Sequence, residues 1–289
     1  MRQIIADIFN CNIDEVSDLK PLKKGMTNDS FIFKIGESEK RYIIRSPGVG
    51  TDKLIDRHKE HAVYQVVAPL GFCDDIVHFD PLTGYKITAY WEGVRVCDRL
   101  SSADIAASMA KLRKFHTLHL TVPHTFCPFE RIAFYESLWE GRPSHYADYA
   151  ATKAAVMGLK TYVDAQDNVH CLAHIDAVPD NFIFLPNGQI KLIDWEYAAM
   201  ADPHLDIAMF IVYAMYDRAQ TEQLIDHYFT GTCTMDIRRK LYAYIAICGL
   251  LWSNWCEYKK MLGEDFGEYA LRQYKYAKEY YKIFKEITS

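Results

Sequence analysis

The sequence lacks the features of several protein classes. No apolar run approaches the roughly 20 residues of a membrane-spanning helix, so no membrane partner is expected. The net charge is only −5, which gives no electrostatic support for binding nucleic acid. The eight cysteines include no Cys-x-x-Cys pair, which favours reduced thiols over a disulfide framework. The apolar start is too short and too charged for a signal peptide, so we expect a cytoplasmic protein.

The 289 residues suffice for one large domain or two modest ones. Strand-like runs in the first third of the chain lie at 30–35, 41–45, 75–79 and 85–90, with helical patterns at 2–9 and 53–68. Later helical patterns cover about 146–165, 203–217, 220–229, 236–262 and 265–286. A capping box at Ser101–Asp104 predicts a further helix that reaches about residue 120. The pattern predicts an α+β fold with a strand-rich lobe, 1–91, and a larger, mostly helical lobe, 92–289.

A hairpin interrupts the helical part, in the stretch HIDAVPDNFIFLPNGQIKLIDWE at 174–196. The Asn-Gly pair at 187–188 lies between two apolar runs and predicts a type I′ turn. With those two as the turn residues, Asn181 faces Asp194, with Cβ atoms about 4.5–5.5 Å apart. Amide and carboxylate oxygens at that separation suit Mg²⁺. The sequence therefore predicts Asn181 and Asp194 as Mg²⁺ ligands.

The spacing His-x-Asp-x₄-Asn, followed by a second Asp after a hairpin, is typical of phosphoryl-transfer enzymes. In this pattern Asp176 orients the acceptor hydroxyl and takes its proton, and His174 braces the loop. Asn181 and Asp194 hold the metal ion against the nucleotide phosphates. The alternative is structural, with Asp176 capping a turn and Asp194 capping the next element, but it leaves three converging polar groups without a purpose.

The segments HIDAVPDN, LIDWEYA and DPHLDIA, together with residues 249–281, resemble the choline/ethanolamine kinase family. That family lies within the aminoglycoside phosphotransferase and protein-kinase-like superfamily. The resemblance runs from about residue 19 to 285, and the compact length is similar to that of bacterial-type choline kinases. It implies a two-lobed protein-kinase-like fold, ATP and choline as substrates and Mg²⁺ as cofactor, with a homodimer as one option for assembly.

The resemblance also assigns the nucleotide site. Its residues are Gly25, Thr27 and Asn28 in the phosphate-covering loop, Arg45 as phosphate-binding cation, Glu60 as its ion-pair partner, and Tyr90 and Glu92, whose backbone groups meet adenine. Arginine can bind phosphate oxygens with two parallel hydrogen bonds. For Glu60 the alternative is a solvated helix face. The G-x-G-x-x-G, V-A-I-K and A-P-E motifs are absent, so a protein kinase is not expected.

The choline pocket that the resemblance implies consists of Asp176, Glu196, Tyr197, Trp252, Trp255 and Tyr269. Trp252 and Trp255 share one face of a predicted helix. Aromatic faces hold a quaternary ammonium by cation–π attraction, at roughly 0.5–2 kcal/mol per face. Simple core packing is the alternative for this Trp pair. Tyr213 stands where choline kinases of higher cells often have an acidic residue, which puts one cation contact in doubt.

The sequence thus predicts an ATP-dependent choline kinase that gives phosphocholine. One alternative is a kinase of the same fold that acts on ethanolamine, thiamine or an aminoglycoside. Another, from a different class, is a non-catalytic protein that binds a quaternary ammonium. Outside the site, Asp206 is expected to brace the catalytic loop.

Overall fold

The computed structural model describes residues 1–24, 28–48, 50–166 and 169–287. Its α-helices are α1 (Arg2–Phe9), α2 (Arg57–Val67), α3 (Ser102–His116), α4 (Pro128–Ser137), α5 (Tyr149–Asp164), α6 (His204–Ala214), α7 (Arg218–Phe229), α8 (Met235–Met261) and α9 (Glu268–Glu286). Its strands are β1 (Val16–Lys24), β2 (Asn28–Ile35), β3 (Arg41–Pro47), β4 (Ile76–Phe79), β5 (Lys86–Ala89), β6 (Arg95–Val96), β7 (Cys171–Ala173), β8 (Phe182–Phe184), β9 (Ile190–Leu192) and β10 (Ala199–Ala201). The predicted α+β class is confirmed.

Contacts divide the chain into two compact units. The first comprises Met1–Val96 and Asn181–Tyr197, and the second comprises Cys97–Asp180 and Ala198–Ser289. The hairpin at 181–197 thus packs with the strand-rich part of the chain. Within the described residues, no helix combines the length and the apolar character that crossing a membrane requires.

The first unit is built on a five-stranded antiparallel sheet of order β1-β2-β3-β5-β4. One face packs against α1 around a core that includes Ile5, Phe33, Ile44 and Ile87. Strand β1 was not predicted from the sequence. Its pairing with β2 has two register shifts, and Asp18 has φ 52°. These irregularities break the alternation of apolar and polar residues by which a strand is recognised.

The hairpin of β8 and β9 has a different turn from the predicted type I′. The Gly188 N–H donates to the Leu185 carbonyl at 3.0 Å, and the Leu185 N–H donates to the Gln189 carbonyl at 2.9 Å. Gly188 has φ 81°, whereas Asn187 does not have a positive φ. This is a three-residue loop, a type I turn followed by a left-handed glycine. Pro186 is the reason, because its fixed φ suits the first central position of a type I turn.

The extra loop residue shifts the register by one. Phe182 pairs with Leu192 and Phe184 with Ile190, so Asn181 lies opposite Ile193. The Ile193 N–H accordingly donates to the Asn181 carbonyl at 3.0 Å. The predicted facing of Asn181 and Asp194 was therefore wrong, since a one-residue slip moves every side chain to the other face. Asp194 itself has φ 66°, a left-handed conformation that is not found within a β-strand.

The second unit is organised around α8, which packs against α4, α5, α6 and α9. Every residue of α8 from Lys240 to Lys259 is buried, as expected for a helix surrounded by other helices. Gly249 permits the close approach of α9. A Cβ atom at this position would lie 2.7 Å from both the Gln273 carbonyl oxygen and the Tyr276 Cβ.

Helix α3 begins as predicted near Ser101, but the capping box is only half formed. The Ser101 hydroxyl accepts from the Asp104 N–H at 3.3 Å. The reciprocal bond is missing, because the Asp104 carboxylate accepts from the Asp98 N–H at 3.0 Å and the Ser101 N–H donates to the Asp98 carbonyl. The prediction of the helix start was right, and the prediction of its second cap was wrong.

Candidate active site

The predicted ion pair between Arg45 and Glu60 is present in the first unit. Arg45 Nη1 and Nη2 donate to the two Glu60 carboxylate oxygens at 2.5 and 2.8 Å. Arg45 projects from β3, and Glu60 lies in the first turn of α2. Only 6% of Arg45 and 1% of Glu60 are exposed, so the alternative of a solvated helix face does not hold. A buried, two-pronged pair fixes the position of α2 against the sheet.

Arg57 extends this pair into a network and was not identified from the sequence. Its Nη1 donates to Glu60 Oε2 at 2.7 Å and to Glu196 Oε2 at 2.9 Å, and its Nη2 donates to Asn28 Oδ1 at 2.7 Å. The Asn28 amide in turn donates to Glu196 Oε2 at 2.8 Å. A basic residue three positions before Glu60 was the available signal, but Glu196 is far away in sequence and spacing alone does not connect them.

Asp194 completes the cluster, with its Oδ1 3.5 Å from Arg45 Nη1. Glu196 Oε2 lies 3.6 Å from the same guanidinium nitrogen. Two arginines thus face three carboxylates, which leaves one negative charge in excess when all are ionised. We refer to Asn28, Arg45, Arg57, Glu60, Asp194 and Glu196 as the charged cluster.

The pKa values of two carboxyls in the charged cluster move in opposite directions. Burial favours the neutral form of Glu60, but the charge and hydrogen bonds of Arg45 outweigh burial and lower its pKa. For Glu196, burial and the charge of Asp194 raise the pKa to about 7, against the lowering effects of Arg45 and Arg57. Glu196 is therefore held less firmly in its charged form than Glu60 is.

The chemistry of the charged cluster fits a divalent cation at Asp194. Glu60, Asp194 and Glu196 each offer a carboxylate oxygen within 4.8 Å of the other two. Glu60 and Glu196 are committed to arginines, whereas the Asp194 side chain is 34% exposed. Hard oxygen ligands with excess negative charge suit Mg²⁺, which usually takes only one or two protein carboxylates.

The other residues assigned to the nucleotide are placed as follows. Gly25 and Thr27 lie outside the described residues. The Tyr90 N–H donates to the Arg41 carbonyl at 3.0 Å, so it belongs to the pairing with β3. The Glu92 carboxylate accepts from Arg41 Nε at 2.8 Å, and the Arg41 guanidinium also covers the Tyr90 ring. Their part in binding adenine stays a prediction.

In the second unit Asp206 holds the loop that carries His174 and Asp176. Asp206 Oδ2 accepts from the His174 N–H at 2.8 Å, and Oδ1 accepts from the Ile175 N–H at 2.6 Å. Oδ2 also lies 2.9 Å from His116 Nε2. Asp206 is fully buried on α6, so all its partners come from the protein. The expectation that Asp206 braces this loop is confirmed.

The same loop has an unusual backbone. Ile175 has φ 67°, a conformation that β-branched residues rarely adopt. The Val178 N–H then donates to the Asp176 carbonyl at 2.8 Å, which makes a tight turn directly after Asp176. Strain of this kind persists only where the surroundings impose it, and here Asp206 supplies that constraint. The Asp176 carboxyl is thus carried by a fixed loop.

A row of aromatic rings lies beside this loop within the second unit. Trp252 and Trp255 have ring centroids 5.6 Å apart, Trp255 and Phe266 5.0 Å, Phe266 and Tyr269 6.3 Å, and Tyr269 and Tyr213 6.0 Å. We call these five rings the aromatic row. Phe266 was not identified from the sequence, although the FGEYA segment contains it.

Electrostatics link the aromatic row to Asp176. Burial raises the pKa of both Tyr213 and Tyr269, and the Asp176 carboxylate contributes to both shifts. Trp255 is 1% exposed and Trp252 is 7% exposed, and Trp252 Nε1 donates to Met209 Sδ at 2.9 Å. These two rings therefore also serve the packing of α8. Tyr197, which the sequence grouped with them, is buried and belongs to the first unit.

The comparison with family models agrees with this geometry. Residues 18–244 match the model of the phosphotransferase enzyme family. The chain belongs to this family. The match spans β2, β3 and α2 of the first unit and the loop of His174 and Asp176 in the second, so it includes most of the residues described above.

Individual relatives point to one branch of the family. The chain is similar to the choline kinase LicA of Streptococcus pneumoniae, with 31% identity, a TM-score of 0.84 and coverage of 98% of this chain and 99% of that chain. A structure of LicA in complex with AMP is 30% identical, with a TM-score of 0.80 and 98% of each chain covered. Protein LicA of Haemophilus influenzae is 26% identical over 91% of this chain and 79% of its own length.

These findings establish the general activity. The protein is a small-molecule kinase with a protein-kinase-like fold, and the predicted resemblance to choline kinases is confirmed. The alternative of a non-catalytic ammonium-binding protein is set aside.

Proposed function

We propose that this protein transfers the γ-phosphoryl group of ATP to the hydroxyl of choline and so produces phosphocholine. The observation that carries the proposal is the aromatic row beside Asp176 in the second unit. A trimethylammonium group cannot donate N–H hydrogen bonds, so it is best held by ring faces. The similarity to choline kinase LicA supports the same acceptor, and the AMP complex of LicA supports an adenine nucleotide as donor.

In this proposal Asp176 is the catalytic base. It accepts the proton of the choline hydroxyl while that oxygen attacks the γ-phosphorus. The bonds from Asp206 to the backbone of His174 and Ile175 keep the loop in place during the reaction. A fixed carboxylate contributes mainly by orientation, which accounts for a large part of the rate in phosphoryl transfer.

Asp194 and Asn181 would hold Mg²⁺, and Glu60 would remain with Arg45. When bound, the ion would neutralise charge on the phosphate oxygens. Arg45 on β3 is proposed to donate to the same phosphates, and its ion pair with Glu60 and its distance of 3.5 Å from Asp194 support this role. Tyr90 and Glu92 are proposed to flank adenine through their backbone groups. The cytoplasmic location and the homodimer stay predictions.

One experiment tests the acceptor directly. The protein is incubated with ATP and Mg²⁺ and, in separate reactions, with choline, ethanolamine, thiamine or kanamycin, and ADP release is measured. We expect choline to give the highest kcat/KM. A higher kcat/KM for any of the other three acceptors would overturn the choice of choline, while the assignment as a small-molecule kinase would stand.

Asp176→Asn tests the catalytic base. The variant keeps the size of the side chain but cannot take the proton, so we expect turnover to fall at least about a hundredfold. Binding of ATP, measured by calorimetry, should stay within about threefold of wild type. Asp164→Asn is the matched control, because Asp164 is an exposed carboxylate that pairs with Lys160 on α5. Turnover by Asp176→Asn at the level of the Asp164→Asn control would exclude the proposed role.

A further inference from the structure

Asp180 places a carboxylate at one end of the aromatic row. The Tyr213 hydroxyl donates to Asp180 Oδ2 at 3.1 Å. Tyr213 is the ring at the end of the row, edge-on to Tyr269 with centroids 6.0 Å apart. Asp180 lies four residues after Asp176 and is half-buried. The catalytic loop therefore supplies two carboxylates, one for the hydroxyl and one beside the rings.

Two carboxylates of the loop act electrostatically on Tyr213. Burial is the largest cause of the raised pKa of the Tyr213 phenol, the carboxylates of Asp180 and then Asp176 raise it further, and the smaller effect of Arg99 acts against them. A field that opposes a phenolate favours a cation at the same place. Ring faces and a carboxylate together make a site for a cation with an apolar surface, because the rings bind its methyl groups and the carboxylate balances its charge.

We propose that Asp180 is the counter-charge for the ammonium group of the alcohol substrate and a specificity-determining residue of this kinase. The proposal rests on the proposed function. The aromatic row binds the methyl groups and attracts the ammonium through its ring faces, and Asp180 adds a full negative charge that the rings do not carry. Tyr213 is a positioning residue, since its hydroxyl donates a hydrogen bond to the Asp180 carboxylate. Position 213 is a tyrosine and not an acidic residue. Asp180 of the catalytic loop thus supplies the carboxylate beside it.

The first test uses the wild-type enzyme and needs no variant. Choline is compared with 3,3-dimethylbutan-1-ol, its neutral carbon analogue of the same shape, by calorimetry in the presence of ADP, so that no phosphoryl transfer takes place during the measurement. A carboxylate beside the ammonium should make choline bind at least about tenfold more tightly than the neutral alcohol. Equal affinities would overturn the proposal, because the positive charge of the substrate would then contribute nothing to binding.

The second test separates charge from shape with Asp180→Asn. We expect the KM for choline to rise about tenfold while kcat stays within about twofold, and the affinity for the neutral alcohol to stay unchanged. Asp164→Asn again serves as control and should leave all three values unchanged. A KM for choline within about twofold of wild type in folded Asp180→Asn would overturn the proposal. So would a loss confined to kcat, because it would mark Asp180 as part of the chemistry.

The outcomes also separate this proposal from the proposed function. If wild type prefers ethanolamine to choline but Asp180→Asn raises the KM for ethanolamine, the acceptor is wrong and the role of Asp180 stands. If wild type phosphorylates choline with a KM that does not depend on Asp180, the acceptor is right and Asp180 is not its counter-charge.

Discussion

The two units stabilise their buried carboxylates in different ways. In the first unit Glu60 and Glu196 are held by the guanidinium groups of Arg45 and Arg57. In the second unit Asp206 is held by two backbone N–H groups and by His116. Ion pairs between side chains can be exchanged for bonds to a ligand, whereas bonds to the backbone fix a loop conformation. The first arrangement suits a site that receives phosphate and metal, and the second suits a site that must orient one reacting group.

The largest effect on turnover is expected for Asp206→Asn, which removes one of the two carboxylate oxygens that bind the backbone of the Asp176 loop. An amide can accept only through one oxygen, so one of the donors at His174, Ile175 or His116 would be left buried without a partner. Such a loss costs about 1–3 kcal/mol of stability per group. Displacement of the Asp176 loop should lower turnover about a hundredfold. Urea unfolding and steady-state kinetics measure the two effects. Turnover within about threefold of wild type would show that Asp206 does not position Asp176.

Arg57→Met is the matching change in the charged cluster. It removes the closer of the two arginines from Glu196 and should destabilise the protein by about 3 kcal/mol, since it leaves a buried carboxylate without its main partner. Lys59→Met is the control, because Lys59 lies on the same helix and is exposed. Urea unfolding of both variants gives the difference.

Adding Glu196→Gln to Arg57→Met sharpens the comparison. Removing both charges of one pair should restore about half of the lost stability, because no unpaired charge remains. The matching pair in the second unit is Asp206→Asn with His116→Gln. It should show no such recovery, because the two backbone N–H groups would still lack one of the two carboxylate oxygens that accept their hydrogen bonds. Recovery of similar size in both units would mean that the two sites are stabilised in the same way.

The change with the smallest effect at neutral pH concerns the pH profile and belongs to the second unit. Burial lowers the pKa of His204 to about 4, below its usual 6.5. Between these values the unfolded chain binds a proton that the folded chain does not, so stability is lost as the pH falls from about 6.5 to about 4. The loss is at most about 3 kcal/mol. His204→Gln should flatten this part of the pH profile in urea unfolding, whereas His58→Gln, at an exposed position, should leave it unchanged.

The sequence alone predicted the elements of the fold better than the contacts between them. The spacing from His174 to Asn181 predicted a loop that Asp206 braces, as the structure shows, and helical periodicity located most of the helices. The predicted type I′ turn was wrong because Pro186, just before the Asn-Gly pair, favours a type I turn. The predicted strand register was wrong for the same reason, because the loop contains one more residue. Strand β1 was not predicted because its pairing is irregular. Helix α4 was not predicted from its apolar pattern either.

What the sequence determined by itself is therefore local: the chemical types of the side chains and most of the elements that carry them. Tertiary structure decided which of these groups meet. Arg57 is joined to Glu196 across 139 positions, and Asp206 to the His174 backbone across 32. Such pairings depend on the packing of distant elements, and packing is set by the sum of many weak contacts that no short stretch of sequence contains.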